Sequence, residues 1–191
     1  MLLHYLRPRQ AAILNPKLLL FPLVCTVIAL FGQPRVAVAQ TPKSLELSTG
    51  YMYLRDVRTD VDFPNGWTAA FAGKVGPLWA VGQVDASYHT FPLLVSEAHL
   101  SVHALMVGGR FSARLGPFVE FGQILVGVVR GRGVVFGSES SDARLGLQPA
   151  VGLDYPLTRR LAVRAEFGGR LIKATEETEI RTAAGLVFAF P

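Results

Sequence analysis

After residue 40, polar and apolar positions alternate with a period of two, in runs bounded by Gly, Pro, Asn and Asp. No segment keeps a helical period over three turns. The pattern predicts eight strands. The first, about 44–55, sets Leu45, Leu47, Tyr51 and Tyr53 against Glu46, Ser48 and Gly50. The second, about 66–75, sets Trp67, Ala69, Phe71 and Val75 against Lys74. The third, about 78–89, sets Leu78, Ala80, Val84, Ala86 and Tyr88 against Gln83, Asp85, Ser87 and His89.

The fourth, about 98–114, begins with Leu100, Val102, Ala104 and Met106 on its apolar face. After Gly108-Gly109 the parity switches, so that Arg110 is polar-side and Phe111 apolar-side. One extra residue in a bulge at the glycine pair would produce this. The fifth, about 118–130, mixes Gln123 with Phe121 and Leu125 on one face. The sixth, about 144–155, sets Leu145, Leu147, Val151, Leu153 and Tyr155 against Arg144, Gln148 and Asp154. The seventh, about 160–172, sets Leu161, Val163, Phe167 and Leu171 against Arg164, Glu166 and Arg170. The eighth, about 179–190, sets Ile180, Leu186, Phe188 and Phe190 against Arg181.

Gly76-Pro77, Gly116-Pro117 and Pro156-Leu157-Thr158 read as tight turns. The other four connections, about 56–65, 90–97, 131–143 and 173–178, read as longer loops. This asymmetry points to an all-β fold, an eight-stranded antiparallel up-and-down transmembrane β-barrel. A soluble lipocalin-like binder in the periplasm is the alternative with the same strand count. Three features favour the membrane. The strands have the length needed to cross hydrocarbon at a tilt. Tyr51, Tyr53, Trp67, Trp79, Tyr88, Phe118, Tyr155, Phe188 and Phe190 gather near strand ends, where interfacial girdles belong. The polar face holds charges of both signs, which suits a packed interior better than a ligand cup.

The first 39 residues change the picture of charge. Arg7, Arg9 and Lys17 precede an apolar run from Leu18 to Phe31, and Ala37-Val38-Ala39 follows. This is the layout of a secretory signal peptide over 1–39, cleaved between Ala39 and Gln40 after the small residues Ala37 and Ala39. The run is too short for a transmembrane helix and contains Pro22. The mature domain would be 40–191. The net charge of +5 is then mostly a property of the leader, and the mature chain keeps 15 bases against 14 acids. That balance gives no support to nucleic-acid binding. The single Cys25 lies in the leader, so the mature chain has no disulfide and no thiolate metal site.

From Val107 to Phe190 the chain resembles the small outer-membrane β-barrel domains related to OmpA and OmpX. The resemblance rests on Gly108-Gly109-Arg110-Phe111, Gly116-Pro117-Phe118, Gly152-Leu153-Asp154-Tyr155-Pro156-Leu157-Thr158, Arg160-Leu161-Ala162-Val163-Arg164 and the ending Ala184-Gly185-Leu186-Val187-Phe188-Ala189-Phe190. It implies a place in the outer membrane of a diderm bacterium and a structural or surface-interaction role through the longer loops. It implies as partners outer-membrane lipids, lipopolysaccharide and the barrel-assembly machinery, with a monomer as the working form. Leu186, Phe188 and Phe190 resemble the terminal signal that this machinery reads, although Pro191 follows the last aromatic.

Candidate chemistry is sparse. The polar face gathers Lys74, Arg110, Arg114, Arg144, Arg164, Arg170 and Arg181 against Glu46, Asp85, Glu120, Asp154 and Glu166. These read as a structural ion network that fills a lumen too narrow for a pore. A hairpin register centred near Leu94 would pair His89 with His99, Ser87 with Ser101 and Asp85 with His103, adding His103 to the network. His99 and His103 lie roughly 13 Å apart on one strand and cannot share a metal. His99-Leu100-Ser101 resembles the His-x-Ser of outer-membrane lipid A deacylases, so a lipid A-modifying enzyme is a second alternative, though this register places both residues inside. No catalytic residue, cofactor site or metal site is expected. Phe91, Leu93, Leu94 and Phe136 put apolar groups in the loops.

Overall fold

The computed structural model describes residues 44–92, 97–135, 138–173 and 177–191. The expected leader and its expected cleavage site at Ala37, Ala39 and Gln40 lie outside these residues, as do Cys25, Leu93, Leu94 and Phe136, whereas Phe91, expected in a loop, belongs to the strand that ends at Pro92. Eight strands follow one another: β1 (Leu45–Asp56), β2 (Val61–Val75), β3 (Leu78–Pro92), β4 (Glu97–Leu115), β5 (Phe118–Val135), β6 (Ser138–Pro156), β7 (Leu161–Ile172) and β8 (Glu177–Phe190). Each pairs antiparallel with its neighbours, and β8 returns to β1 with Leu45 opposite Phe190. The sheet therefore closes and has no lateral edge through the body of the barrel.

Alternation assigns two faces to every strand. The outward face carries an apolar belt, with Leu78, Val84 and Tyr88 on β3, Leu105, Val107 and Leu115 on β4, and Ile124, Val126 and Val128 on β5. Leu145, Leu147 and Leu153 continue it on β6, and Val163 and Phe167 on β7. From Leu115 up to Leu105 the belt spans ten residues, as it does from Tyr155 to Leu145. At about 3.4 Å per residue and a tilt near 40°, ten residues climb roughly 26 Å, the height of a hydrocarbon core in a barrel protein.

The turns at one end are tight. Gly76 and Gly116 both take positive φ, 62° and 59°, a backbone region open to glycine. At the other end the strands run past the belt. Residues 61–65, 131–135 and 138–143 belong to strands, so most of what reads as long loops is ladder. The reason is that these segments mix Gly, Pro, Asn, Ser and charged residues with scattered apolar ones such as Val61, Phe63 and Val134, so they carry no clean period of two. Above the belt the outer face no longer meets hydrocarbon, so alternation fades while cross-strand hydrogen bonds continue. β2 is bulged between the partners of Met52 and Leu54, which turns both Phe63 and Gly66 inward across Pro64 and Asn65.

β4 departs from expectation. It pairs without interruption with β3 and with β5 through Gly108 and Gly109, so no bulge exists there. Leu100, Val102, Ala104 and Met106 therefore share the inward face with Arg110. Ala104 and Met106 are buried, and with Ala72, Trp79, Val81, Leu125, Val129 and Ile172 they form an apolar wall inside the barrel. Gly127 faces this wall where β4 comes close, since a Cβ there would stand 1.9 Å from the Leu105 carbonyl oxygen. Pro149 breaks no bond inside β6 that matters to closure. The β6–β7 ladder skips residues 148 and 149 and resumes in the same register at Ala150.

Candidate functional site: the lumen and the protruding sheet

The inward residues of β6, β7, β8 and β1 face the apolar wall with charge. The central cluster is built around Asp85 of β3. Arg170 Nη2 donates to its Oδ2 at 2.6 Å, and Arg181 Nε donates to the same oxygen at 3.0 Å. Arg170 also donates to Gln148 at 3.0 Å and pairs with Glu179 at 3.2 Å. Arg181 pairs with Glu166 and donates to the Thr68 hydroxyl at 3.0 Å. Asp85, Arg170 and Arg181 are each at most 1% exposed. Gln83 Nε2 donates to both oxygens of Asp85 at 3.1 Å, and Gln123 donates to Gln83.

A second cluster lies nearer the tight turns. Arg164 forms a two-pronged pair with Asp154, both contacts at 2.7 Å. Glu46 reaches Arg110 at 3.1 Å and Arg164 at 3.4 Å. Phe121 lies between the two guanidiniums, 5.2 Å from Arg110 and 4.5 Å from Arg164. Trp79 takes the other side of Arg110 at 5.7 Å. Such contacts are worth about 2 kcal/mol when desolvated. The two clusters bring together four arginines and five carboxylates. A cavity lined by Ser48, Thr68, Gln83, Gln123, Arg164 and Glu166 has a volume of about 20 Å³, room for little more than a water.

The remaining charged residues expected in the lumen are placed differently. Lys74 and Arg114 have inward parity but lie exposed at the tight-turn end. Arg144 lies at the opposite mouth beside Asp142, 2.6 Å away. His103 and Glu120 face outward and are corrected. In the observed hairpin Asp85 stands opposite Ala104 and Ala86 opposite His103, one residue away from the expected register. A slip of one exchanges the faces. Glu120 is outward because its neighbour Phe121 is needed inside, under the arginines. Trp79, expected in an outer girdle, is also interior. Gln83 and Gln148 have the expected inward parity but stand outside the expected network, since they carry no charge to mark them; Glu179, at the start of the expected eighth strand, was given no face.

The same register puts His89 inside and His99 outside, so they cannot pair. His99 and Ser101 lie on the outer face, opposite Thr90 and Tyr88. The His99 ring meets the Thr90 hydroxyl at 3.3 Å. Leu186, Phe188 and Phe190 all point outward on the closing strand.

Above the belt, β3 to β6 continue as a protruding sheet. β6 pairs with β7 only from Gly146 onward, so among the described residues 138–144 pair with β5 alone. Their side chains are mostly exposed and polar.

With the lumen closed by these clusters, purified protein in a planar bilayer is expected to give no steady large conductance. Stable ion-selective channels would show that the packed interior does not exist in the membrane.

No protein-family profile matches the chain, and no curated protein sequence does. Solved structures share its fold. Ail, the attachment invasion locus protein of Yersinia pestis, solved in complex with the heparin analogue sucrose octasulfate, is 14% identical with a TM-score of 0.60, over 78% of this chain and 100% of that one. Neisserial surface protein A is 10% identical with a TM-score of 0.63, over 76% and 96%. The N-terminal β-barrel domain of Pseudomonas aeruginosa OprF is 10% identical with a TM-score of 0.51, over 78% and 100%. The chain has the fold of the small eight-stranded outer-membrane barrels.

Proposed function

We propose that this chain is a bacterial outer-membrane barrel, exported by its leader, with a closed lumen and a surface-interaction role carried by the protruding sheet. The belt of roughly 26 Å supports the membrane placement. Ser44, Pro191 and the tight turns lie at one end, which on this reading is periplasmic. The lumen is structural. Its clusters hold the barrel together from inside, and no path for solutes remains.

The observation that carries the interaction role is the one-sided pairing of residues 138–144. Among the described residues nothing pairs with its second side, and such an edge offers backbone donors and acceptors to an extended segment of a partner. Glu139, Asp142 and the serines around them keep it soluble and discourage pairing with itself. The fold of Ail, whose crystals hold a heparin analogue, is consistent with a surface role for this end.

Shortening the β5–β6 hairpin by replacing residues 132–141 with a two-residue turn tests this. The trimmed barrel is expected to keep its heat-modifiable migration on gels, because every cluster and the whole belt remain. Adhesion of cells displaying it is expected to fall to that of cells without it. Unchanged adhesion would remove the sheet from the function.

The outward placement of His99 and Ser101 also meets the access requirement of the lipid A-modifying reading. Ser101→Ala separates the two: loss of lipid A hydrolysis would favour the enzyme, and an unaltered lipid A profile favours the barrel as an interaction protein.

A further inference from the structure

The outer face changes character at one rung. On β4 and β5 the belt ends with Leu105 and Val128, and two residues higher stand His103 and Arg130; on β3, Ala86 is level with His103, and Tyr88 lies two residues above it. His103 and Arg130 are Cα partners across β4 and β5, so their side chains leave the sheet together. Both are exposed. Tyr88 packs edge-on against the His103 ring, centroids 5.6 Å apart.

The outward arginines above the belt differ in their partners. Arg55 is within ion-pair reach of Asp60 and Asp62, and Arg132 pairs with Glu139 at 2.8 Å. Arg130 has only the Ser141 hydroxyl, at 3.3 Å, and among the described residues no carboxylate lies within ion-pair distance of it. So Arg130, an outward arginine with no carboxylate in ion-pair reach among the described residues, stands on the first rung above the apolar belt, next to a ring N–H donor. A guanidinium held there meets the level of lipid headgroups, and its planar fork suits phosphate oxygens.

We propose that Arg130 and His103 form a seat for the phosphate of an outer-leaflet glycolipid, with the acyl chains lying along Leu105 and Val128. This rests on the outer-membrane placement above. The seat anchors one lipid at the base of the protruding sheet and thereby fixes how far the sheet stands above the surface.

Native mass spectrometry of the full mature chain in nanodiscs tests it, with bisphosphorylated lipid A, the same lipid stripped of its phosphates, and inorganic phosphate as probes. The unaltered protein is expected to retain one bisphosphorylated lipid A. The double variant Arg130→Gln with His103→Gln is expected to bind it about tenfold or more weakly, the scale of losing charge-assisted hydrogen bonds. Arg132→Gln is expected to change retention little, since Arg132 is already paired. Heat-modifiable migration confirms that each variant is folded. Equal retention by the double variant, equal retention of the dephosphorylated lipid, or an equal loss in Arg132→Gln would overturn the assignment. Displacement of the lipid by millimolar inorganic phosphate would show a free-anion site and overturn the lipid as occupant. If the chain is instead recovered as a soluble protein, the membrane placement fails and not this geometry alone.

Discussion

Replacing Asp85 with alanine is expected to destabilise the barrel by about 3–5 kcal/mol, the cost of removing one partner from a buried ion pair. Two buried arginines converge on this carboxylate, and the substitution leaves both facing an apolar gap. Glu179 still holds Arg170 and Glu166 still holds Arg181, so the fold survives in weakened form. Asp85→Asn keeps hydrogen-bonding capacity and is expected to cost less. Asp142→Ala, which breaks an exposed pair with Arg144, is expected to cost below about 1 kcal/mol. Urea unfolding in lipid vesicles, followed through Trp67 and Trp79, reads all three. Equal midpoints for Asp85→Ala and Asp142→Ala would mean that the central cluster does not hold the barrel together.

The second large effect concerns assembly. Phe188 and Phe190 lie outward on the strand that closes against β1, at 41% and 46% exposure. Tyr88 and Phe111 are outward aromatics of similar exposure, 43% and 37%, in the middle of the chain. Bulk alone would make the two pairs equivalent. If the C-terminal aromatics serve as an assembly signal, changing Phe188 and Phe190 together to serine is expected to cut membrane insertion in cells several-fold more than changing Tyr88 and Phe111. Refolding of the purified proteins into detergent is expected to differ little between the two double variants, because burial changes by similar area in both. Similar insertion in cells would reduce Phe188 and Phe190 to lipid-facing surface.

Most of the fold is legible from alternation, because a two-residue period fixes faces wherever one face must meet lipid. Asp85, Asp154, Arg164, Glu166, Arg170 and Arg181 declare the interior of their strands by charge alone. β4 does not. Its upper half is Leu100, Val102, Ala104 and Met106 on one parity and His99, Ser101 and His103 on the other, so polarity points the wrong way. The interior is apolar on that side of the barrel, and the outer face is polar once the strand has left the belt. The parity of Arg110 continued upward through the glycine pair would have placed Met106 and Ala104 correctly. Phe121 follows the same logic: an aromatic inside, paired with guanidiniums, looks from the sequence like one that belongs in lipid. The extent of the protruding sheet was illegible because its segments mix turn-forming, charged and scattered apolar residues and carry no periodic signal.

Orientation in the membrane is the claim on which the rest depends. Residues 40–191 contain no cysteine, so single substitutions there report cleanly once the proposed leader is removed. Ser141→Cys places a thiol on the protruding sheet, and Thr158→Cys places one at a tight turn of the opposite end. The decisive measurement is labelling of both variants in intact diderm cells with a membrane-impermeant maleimide. Reaction of the Ser141→Cys thiol in intact cells, with Thr158→Cys reacting only after the outer membrane is permeabilised, is the expected result. Labelling of Thr158→Cys alone, or neither thiol reacting until permeabilisation, would contradict a barrel that spans the outer membrane with its sheet outside.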